Sequence, residues 1–115
     1  MKNMTAPLTD IIEAIERVRL VLAEMPLDAF EADWEKQWLV ERGVEIISEA
    51  SRRLTDELKA RHPNIPGKKV AGIGNVLRHN CESVAPAIMW KLAREDLFDL
   101  ERVCRDELAA ARKQC

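Results

Sequence analysis

Apolar residues recur at steps of three and four along most of the chain, which is the period of an amphipathic α-helix. The first apolar stripe lies within residues 8–22 and consists of Leu8, Ile11, Ile12, Ile15, Val18 and Leu22. We expect Thr9 or Asp10, near Pro7, to supply the capping oxygen at its start. The helix should end at Met25, because Pro26 disfavours helical geometry in the residue before it. The pattern therefore predicts a first helix with one buried face.

The longest helix is predicted over residues 31–61. Its apolar stripe consists of Val40, Val44, Ile47, Ala50, Leu54 and Leu58, and we expect it to continue upstream through Trp34 and Trp38. Phe30 joins these two tryptophans in an aromatic group at helical spacing, which we assign to the core or to a dimer interface. Pro63 and Pro66 end the helix, because proline lacks the amide hydrogen that a helix interior needs.

Shorter helices are predicted over residues 68–78, from Pro86 onward, and again after Asp96. The first of these must tolerate Gly72 and Gly74, at roughly 1 kcal/mol each relative to alanine. The chain has no alternating strand pattern and no internal repeat. Together these features predict an all-α fold, a five-helix antiparallel bundle with short connections.

Composition supports one folded domain covering residues 1–115. The hydrophobic fraction is 47% and the charged fraction 33%, values typical of a folded protein. No apolar run approaches the ~20 residues needed to cross a bilayer, and a signal-peptide pattern is missing, so we expect a cytoplasmic protein without a membrane partner. Three widely spaced cysteines favour neither a disulfide framework nor a zinc site, and we expect no metal or other cofactor.

The charge distribution singles out residues 59–81, which contain no Asp or Glu. The whole chain has 18 basic and 20 acidic residues. This cationic segment carries a formal charge of +5, which leaves −7 in the rest of the chain. Its five basic residues are Lys59, Arg61, Lys68, Lys69 and Arg78. A basic segment that also contains an imidazole, here His79, suits a phosphate-bearing ligand. The alternative is a solvated helix end whose charge is accidental. Within the segment, Lys68, Lys69 and Arg78 are the candidate contacts for such a phosphate-bearing ligand.

Several short motifs occur in a characteristic order along the chain: Glu45-Ile46-Ile47-Ser48-Glu49-Ala50 with Arg53-Leu54, then Arg61-His62-Pro63-Asn64-Ile65-Pro66, Val70-Ala71-Gly72-Ile73, Asn75-Val76-Leu77 before His79, and Trp90 with Glu95-Asp96-Leu97. This order resembles the HepT-like group of the HEPN superfamily over nearly the whole chain. Members of that group are small all-α proteins and the toxin half of two-gene toxin–antitoxin modules. The resemblance implies a symmetric homodimer and a nucleotidyltransferase-type antitoxin as partner.

The same resemblance implies metal-independent RNA cleavage, in which the ribose 2′-hydroxyl attacks the adjacent phosphate. The family motif is an arginine, four intervening residues, a histidine and often a tyrosine two residues later. Here these positions are Gly74, His79 and Cys81. His79 would be the general acid or base, and Asn75 a supporting residue. Loss of the arginine removes a contact to the transition state that is typically worth ~10²–10³-fold in rate.

Other residues keep two interpretations. Arg78 is a candidate substitute for the missing arginine, or a solvated residue whose charge suits a helix C-terminus. Glu49 either supports the pocket of His79 or, like Glu45, forms intrahelical ion pairs with Arg52 and Arg53 one turn further on. His62 is expected to end a helix and to take no part in catalysis. Cys81 has no phenol oxygen, so the AMP modification of the family's tyrosine is not expected here.

Two functions from different classes remain open at this point. The first is a HepT-like ribonuclease that cuts RNA with His79, at full or reduced rate. The second is a catalytically inactive dimer that binds a nucleotidyltransferase antitoxin or RNA. Gly74 favours the second function, whereas His79 and the cationic segment favour the first.

Overall fold

The computed structural model describes residues 3–63, 72 and 85–113, and within these ranges every regular element is helical. The elements are α1 (Thr5–Leu22), α2 (Leu27–Glu31), α3 (Trp34–Arg52), α4 (Asp56–Ala60), α5 (Pro86–Lys91), a π-helical turn (Leu92–Asp96) and α6 (Leu97–Lys113). The predicted all-α fold is confirmed. The helix predicted over residues 68–78 lies outside the described residues except for Gly72, which is helical and exposed.

Helix α1 occupies the centre of the described part of the bundle, with α3 on one side and α6 on the other. Asp10 contacts Arg53 while Val18 faces Gly43, so α1 and α3 run antiparallel. Arg19 pairs with Glu101 on α6. The core between these helices is formed by residues such as Leu8, Ile11, Ile15, Val40, Val44, Ile47, Leu97, Leu100 and Cys104. Within residues 3–63, 72 and 85–113, no helix is long and apolar enough to span a bilayer.

The ends of α1 differ from the prediction. The helix begins at Thr5, whose backbone N–H donates to Oδ1 of Asn3 at 2.8 Å, so the predicted caps Thr9 and Asp10 lie inside it. Pro7 is accommodated in the first turn, where its missing amide hydrogen has no helical partner. The helix ends at Leu22, because Ala23 adopts a φ of 45° and leaves the helical path before Pro26 is reached.

The single long helix predicted over residues 31–61 is wrong, because the structure divides it. Helix α3 begins at Trp34, where the side chain of Asp33 accepts from the N–H of Lys36 at 3.1 Å. It ends at Arg52, and α4 follows after a turn that buries Leu54. Thr55 begins α4 because its hydroxyl accepts from the N–H of Leu58 at 3.2 Å. A local cap therefore competes successfully with continued helix.

The two helices predicted after residue 85 form one continuous helical path. Pro86 occupies the first turn of α5, as predicted. The expected interruption after Asp96 is a π-helical turn, Leu92–Asp96, which leads directly into α6. A π-turn adds a residue to the helix and changes which side chains face the core after it, and here Leu92 and Leu97 at its two ends are both buried.

The aromatic group divides between core and surface. Phe30 is fully buried, whereas Trp34 and Trp38 are 59% and 64% exposed, so the predicted extension of the buried stripe through the tryptophans is wrong. Ala14 lies off the main apolar stripe of α1, yet it is buried within the bundle, where α1 faces α3 beside Gly43.

Candidate functional site

The predicted catalytic and RNA-binding residues fall between α4 and α5, in residues 64–84, which we call the candidate segment. His79, Arg78, Asn75, Lys68 and Lys69 lie outside the described residues, as do the motif positions Gly74 and Cys81. Their assignments remain predictions. The structure does describe the residues on both sides of the candidate segment, and also Glu49 on α3. The residues on both sides show where the chain leaves the bundle before the segment and rejoins it afterwards.

The upstream flank is anchored to α6 by Glu107. Arg61 donates two hydrogen bonds to this carboxylate, from Nη2 to Oε1 at 2.7 Å and from Nε to Oε2 at 3.2 Å. Nε2 of His62 lies 2.7 Å from Oε2 of the same carboxylate. The predicted position of His62 just past a helix end is confirmed, because α4 ends at Ala60. Glu107 therefore holds the chain immediately before the candidate segment.

This cluster also changes the charge assigned to the cationic segment. The hydrogen bond from Arg61, and then the hydrogen bond from His62, hold the pKa of the Glu107 carboxyl below its ordinary value, although burial opposes them. Arg61 contacts a second carboxylate, Glu57, at 3.3 Å. Its guanidinium is thus paired with two acids, which offset the positive charge that the simple count along the sequence assigns to it. Lys59 remains exposed to solvent.

The downstream flank is anchored by α5 and the π-turn. The indole N–H of Trp90 donates to the carbonyl of Met25 at 2.9 Å. Nη1 of Arg94 donates to the carbonyl of Ala23 at 3.0 Å, and its guanidinium lies 5.1 Å from the centre of the Trp90 ring. These bonds satisfy two backbone carbonyls in the turn that follows α1. They fix the chain that follows the candidate segment against the turn between α1 and α2.

Glu49 lies exposed on α3, in a shallow groove lined by Arg42, Glu45, Ile46, Glu49 and Arg53. Glu45 forms its intrahelical pair with Arg42, 3.3 Å away and three residues before it, rather than with the downstream Arg52 or Arg53 that the sequence favoured. Arg53 instead reaches across to Asp10 of α1 at 2.8 Å, so its pairing is between helices. The role of Glu49 beside His79 stays a prediction, since the histidine lies outside the described residues.

A second polar cluster on α6 stabilises the bundle. Glu101 is buried and accepts from Arg19 of α1 and from Arg105, the latter at 3.0 Å. Burial by itself would raise the pKa of Glu101, but the hydrogen bonds from both arginines outweigh it and the pKa lies below the ordinary value. Cys104 nearby is fully buried in the core, and burial raises the pKa of its thiol to about 12. Among the described residues, no group of three His, Cys, Asp or Glu side chains is arranged to hold a metal ion.

Sequence analysis missed Glu107, Trp90 and Arg94 as anchors of the segment. Their partners lie between 45 and 71 residues away along the chain. Hydrophobic periodicity carries no information about such pairs, because it reports only which side of a helix is buried. The one available signal was the position of Glu107 and Arg94 on or beside a strongly amphipathic helix, which was not sufficient to identify their partners.

Comparison with known proteins relates the whole arrangement to one family. The family model described as "Ribonuclease HepT-like" matches residues 11–107. A protein of Thermococcus cleftensis named "Probable ribonuclease HepT" is 35% identical over 94 residues, which cover 82% of this chain and 86% of that protein. A "Putative RNase" of Methanocaldococcus jannaschii is 29% identical over 101 residues, covering 88% and 93% of the two chains. No solved structure matches the chain.

Proposed function

Because the chain belongs to the HepT-like ribonuclease family, we propose that it is the toxin component of a toxin–antitoxin pair and cuts RNA with His79. The observation that carries this proposal is the family match over residues 11–107, a range that contains the entire candidate segment. Two relatives whose names describe them as ribonucleases support it, since they align over more than four-fifths of this chain.

The proposed chemistry is proton transfer by one imidazole. His79 takes the proton from a ribose 2′-hydroxyl as the 2′-oxygen bonds to the adjacent phosphorus. The bond from phosphorus to the 5′-oxygen then breaks, and the leaving oxygen receives a proton. An imidazole suits both transfers because its pKa lies near neutral pH. Asn75 and Glu49 would orient the histidine.

Gly74 limits this chemistry. The family arginine at that position would neutralise the charge that develops on the phosphorane, and glycine offers no such contact. Loss of one preorganised charge contact typically lowers the rate ~10²–10³-fold. We therefore propose weak cleavage, with Arg78 as the candidate substitute if its side chain reaches the phosphate. Cys81 replaces the tyrosine that accepts AMP in the family, so control by that modification should be absent.

The proposed RNA contacts are Lys68, Lys69 and Arg78, with Lys59 at the edge of the segment. Arg61 is not included in this set because it is paired with Glu107 and Glu57. Binding through a few lysines and arginines is electrostatic and should weaken as salt increases.

The second candidate function is a catalytically inactive binding module. Gly74 is the specific residue that favours it, because the motif lacks its cationic half while the fold is retained. In this function the protein forms a symmetric homodimer in the cytoplasm and binds a nucleotidyltransferase-type antitoxin or RNA without cutting. Both functions share the dimer and the partner, so cleavage is the property that separates them.

The decisive experiment measures cleavage of a labelled single-stranded RNA by purified wild type, His79→Ala and His62→Gln. The second variant is a matched control, because it removes the other imidazole while keeping a hydrogen-bonding group beside Glu107. The ribonuclease function predicts weak cleavage that His79→Ala abolishes and His62→Gln preserves. Cleavage that survives His79→Ala would overturn the site assignment. Absence of cleavage in wild type, with RNA binding retained, would establish the binding module instead.

A further inference from the structure

Two tryptophans at the start of α3 project into solvent. Trp34 is 59% exposed and Trp38 is 64% exposed. Their ring centres lie 4.9 Å apart with the planes inclined at 73°, an edge-to-face arrangement. Exposed aromatic pairs are unusual on a surface that only meets water, because each ring leaves a large apolar area hydrated. Tryptophan is also the residue most enriched at energetically important protein contacts.

Carboxylates continue the same side of the helix. Residues three, four and seven positions apart share a helix face, so Glu41 and Glu45 follow Trp34 and Trp38 along α3. We call these four residues the tryptophan face. Glu45 has a cationic neighbour, Arg42, at 3.3 Å. Glu41 is half-buried, and in the part of the chain that the structure describes no basic side chain pairs with its carboxylate.

The surroundings of Glu41 disfavour the negative charge of its carboxylate. Partial burial, and then the negative charge of Glu45, raise the pKa of the Glu41 carboxyl above its ordinary value. A positive charge from a binding partner would relieve both effects. The same carboxylates repel the phosphates of a nucleic acid, so RNA is a poor occupant of this face.

We propose that the tryptophan face is a docking site for a partner protein, through a segment that presents arginine or lysine beside apolar residues. Guanidinium and ammonium groups bind over indole rings, and tryptophan is the strongest of the aromatic side chains in this respect. Arginine also forms two parallel hydrogen bonds with a carboxylate, which would match Glu41. The apolar neighbours of that arginine would cover the remaining indole surface. The proposal does not depend on catalysis, because none of these residues belongs to the candidate ribonuclease site.

The test uses a synthetic amphipathic peptide of alternating arginine and leucine as the probe. Its control is the same peptide with glutamate in place of arginine. Binding is followed through the indole N–H resonances of the full chain. Trp90 serves as an internal reference because its N–H is hydrogen-bonded to Met25. The arginine peptide should shift the signals of Trp34 and Trp38 and leave that of Trp90 in place, while the glutamate peptide should shift none.

Substitutions then test the individual residues. Trp38→Ala should weaken binding of the arginine peptide about tenfold, and Glu41→Gln several-fold. Two control variants should leave affinity unchanged: Asp106→Asn removes an exposed acid on α6, and Phe98→Ala removes an exposed aromatic ring on the same helix. Equal binding of both peptides, no binding, or full affinity in Trp38→Ala would overturn the proposal. So would indole shifts caused by RNA, or shifts that depend on protein concentration without peptide, since these would identify RNA or a second copy as the occupant.

Discussion

Gly43 of α3 lies directly against Val18 of α1, so closely that a methyl group built on the glycine would overlap Cγ2 of the valine. This contact is where the two central helices approach each other. Only a residue without a side chain leaves room for the valine there, which explains a glycine in the middle of a 19-residue helix.

Gly43→Ala should therefore destabilise the protein. Overpacking of a tight contact costs ~1–3 kcal/mol, which exceeds the roughly 1 kcal/mol that alanine gains over glycine in a helix. Urea unfolding gives the measurement. Gly72→Ala is the matched control, because Gly72 is helical and exposed with nothing described within 4 Å of an added methyl group, and it should stabilise by up to about 1 kcal/mol. If both variants gain stability, the two helices are not in close contact at Gly43.

Ile47→Ala and Leu54→Ala should each lower the free energy of unfolding by ~2–5 kcal/mol, because both side chains are buried in the core. Leu39→Ala provides the comparison on the same helix, since Leu39 is 54% exposed and should change stability far less. Urea melts of the three variants decide the matter. Losses below about half a kcal/mol for Ile47 and Leu54 would contradict their place in the core.

The apolar periodicity of α3 shows how much of the fold the sequence contains. Val40, Val44, Ile47 and Ala50 recur at helical steps and are all buried, as predicted. Trp38 breaks the rule because it lies two residues before Val40, about 200° away around the helix. Residue type favours a stripe that continues through Trp38, whereas the helical angle excludes it. Thr55, followed by Asp56 and Glu57, is a recognisable helix start inside the predicted long helix.

The anchors of the candidate segment could not be predicted in the same way. Glu107 and its partner His62 are 45 residues apart. Their meeting depends on how α4 and α6 pack, and many charged pairs on helix surfaces satisfy the same sequence pattern. The catalytic assignment rests on neither periodicity nor packing, because it follows from the family resemblance around His79. It stays a prediction, since His79 lies outside the described residues.

Glu107→Gln should destabilise the protein at neutral pH by about 1–3 kcal/mol, because it weakens charged hydrogen bonds to Arg61 and His62. The pKa of Glu107 is lowered in the folded state. Its contribution is therefore complete above the unfolded value of roughly 4.3 and is lost as pH falls through the lower folded pKa. The difference between wild type and variant in urea melts should shrink accordingly at acidic pH.

Glu57→Gln is the control for this experiment. Glu57 contacts the same arginine at 3.3 Å, but its side chain is 82% exposed, and exposed ion pairs contribute ~0–1 kcal/mol. Its replacement should change stability little at any pH. Equal effects of the two variants would mean that Glu107 does not anchor the end of α4.

The protein should sediment as a dimer at tens of micromolar. Family membership motivates this expectation, and the bundle leaves Leu20 79% exposed on α1, with Val21 and Met25 only partly buried beside it. Apolar side chains of this kind commonly become buried in a symmetric interface. Sedimentation equilibrium of wild type and Leu20→Glu provides the comparison. A monomer at this concentration would contradict the dimer.

The last prediction concerns the motif itself. Gly74→Arg should raise the rate of RNA cleavage, because it restores a guanidinium where the family has one. The gain should approach ~10²-fold only if the side chain reaches the phosphate in the transition-state geometry, since preorganised charge is what lowers the barrier. His79→Ala in the same background should abolish the gain, because the charge has no effect without the proton transfer. The measurement is the single-turnover cleavage rate of a labelled RNA by wild type, Gly74→Arg and the double variant Gly74→Arg with His79→Ala.

Three further variants distinguish the sources of positive charge. Lys68→Ala and Lys69→Ala should weaken RNA binding and flatten its salt dependence while leaving the cleavage step unchanged, because phosphate contacts away from the reacting bond act on affinity. Arg78→Ala should behave like these lysine variants if Arg78 only binds RNA. If instead wild type cleaves strongly and Arg78→Ala removes the activity as completely as His79→Ala, Arg78 supplies the missing guanidinium. In that case Gly74→Arg should add little, because the transition state already has its cation, so the two substitutions together locate the charge that the motif requires.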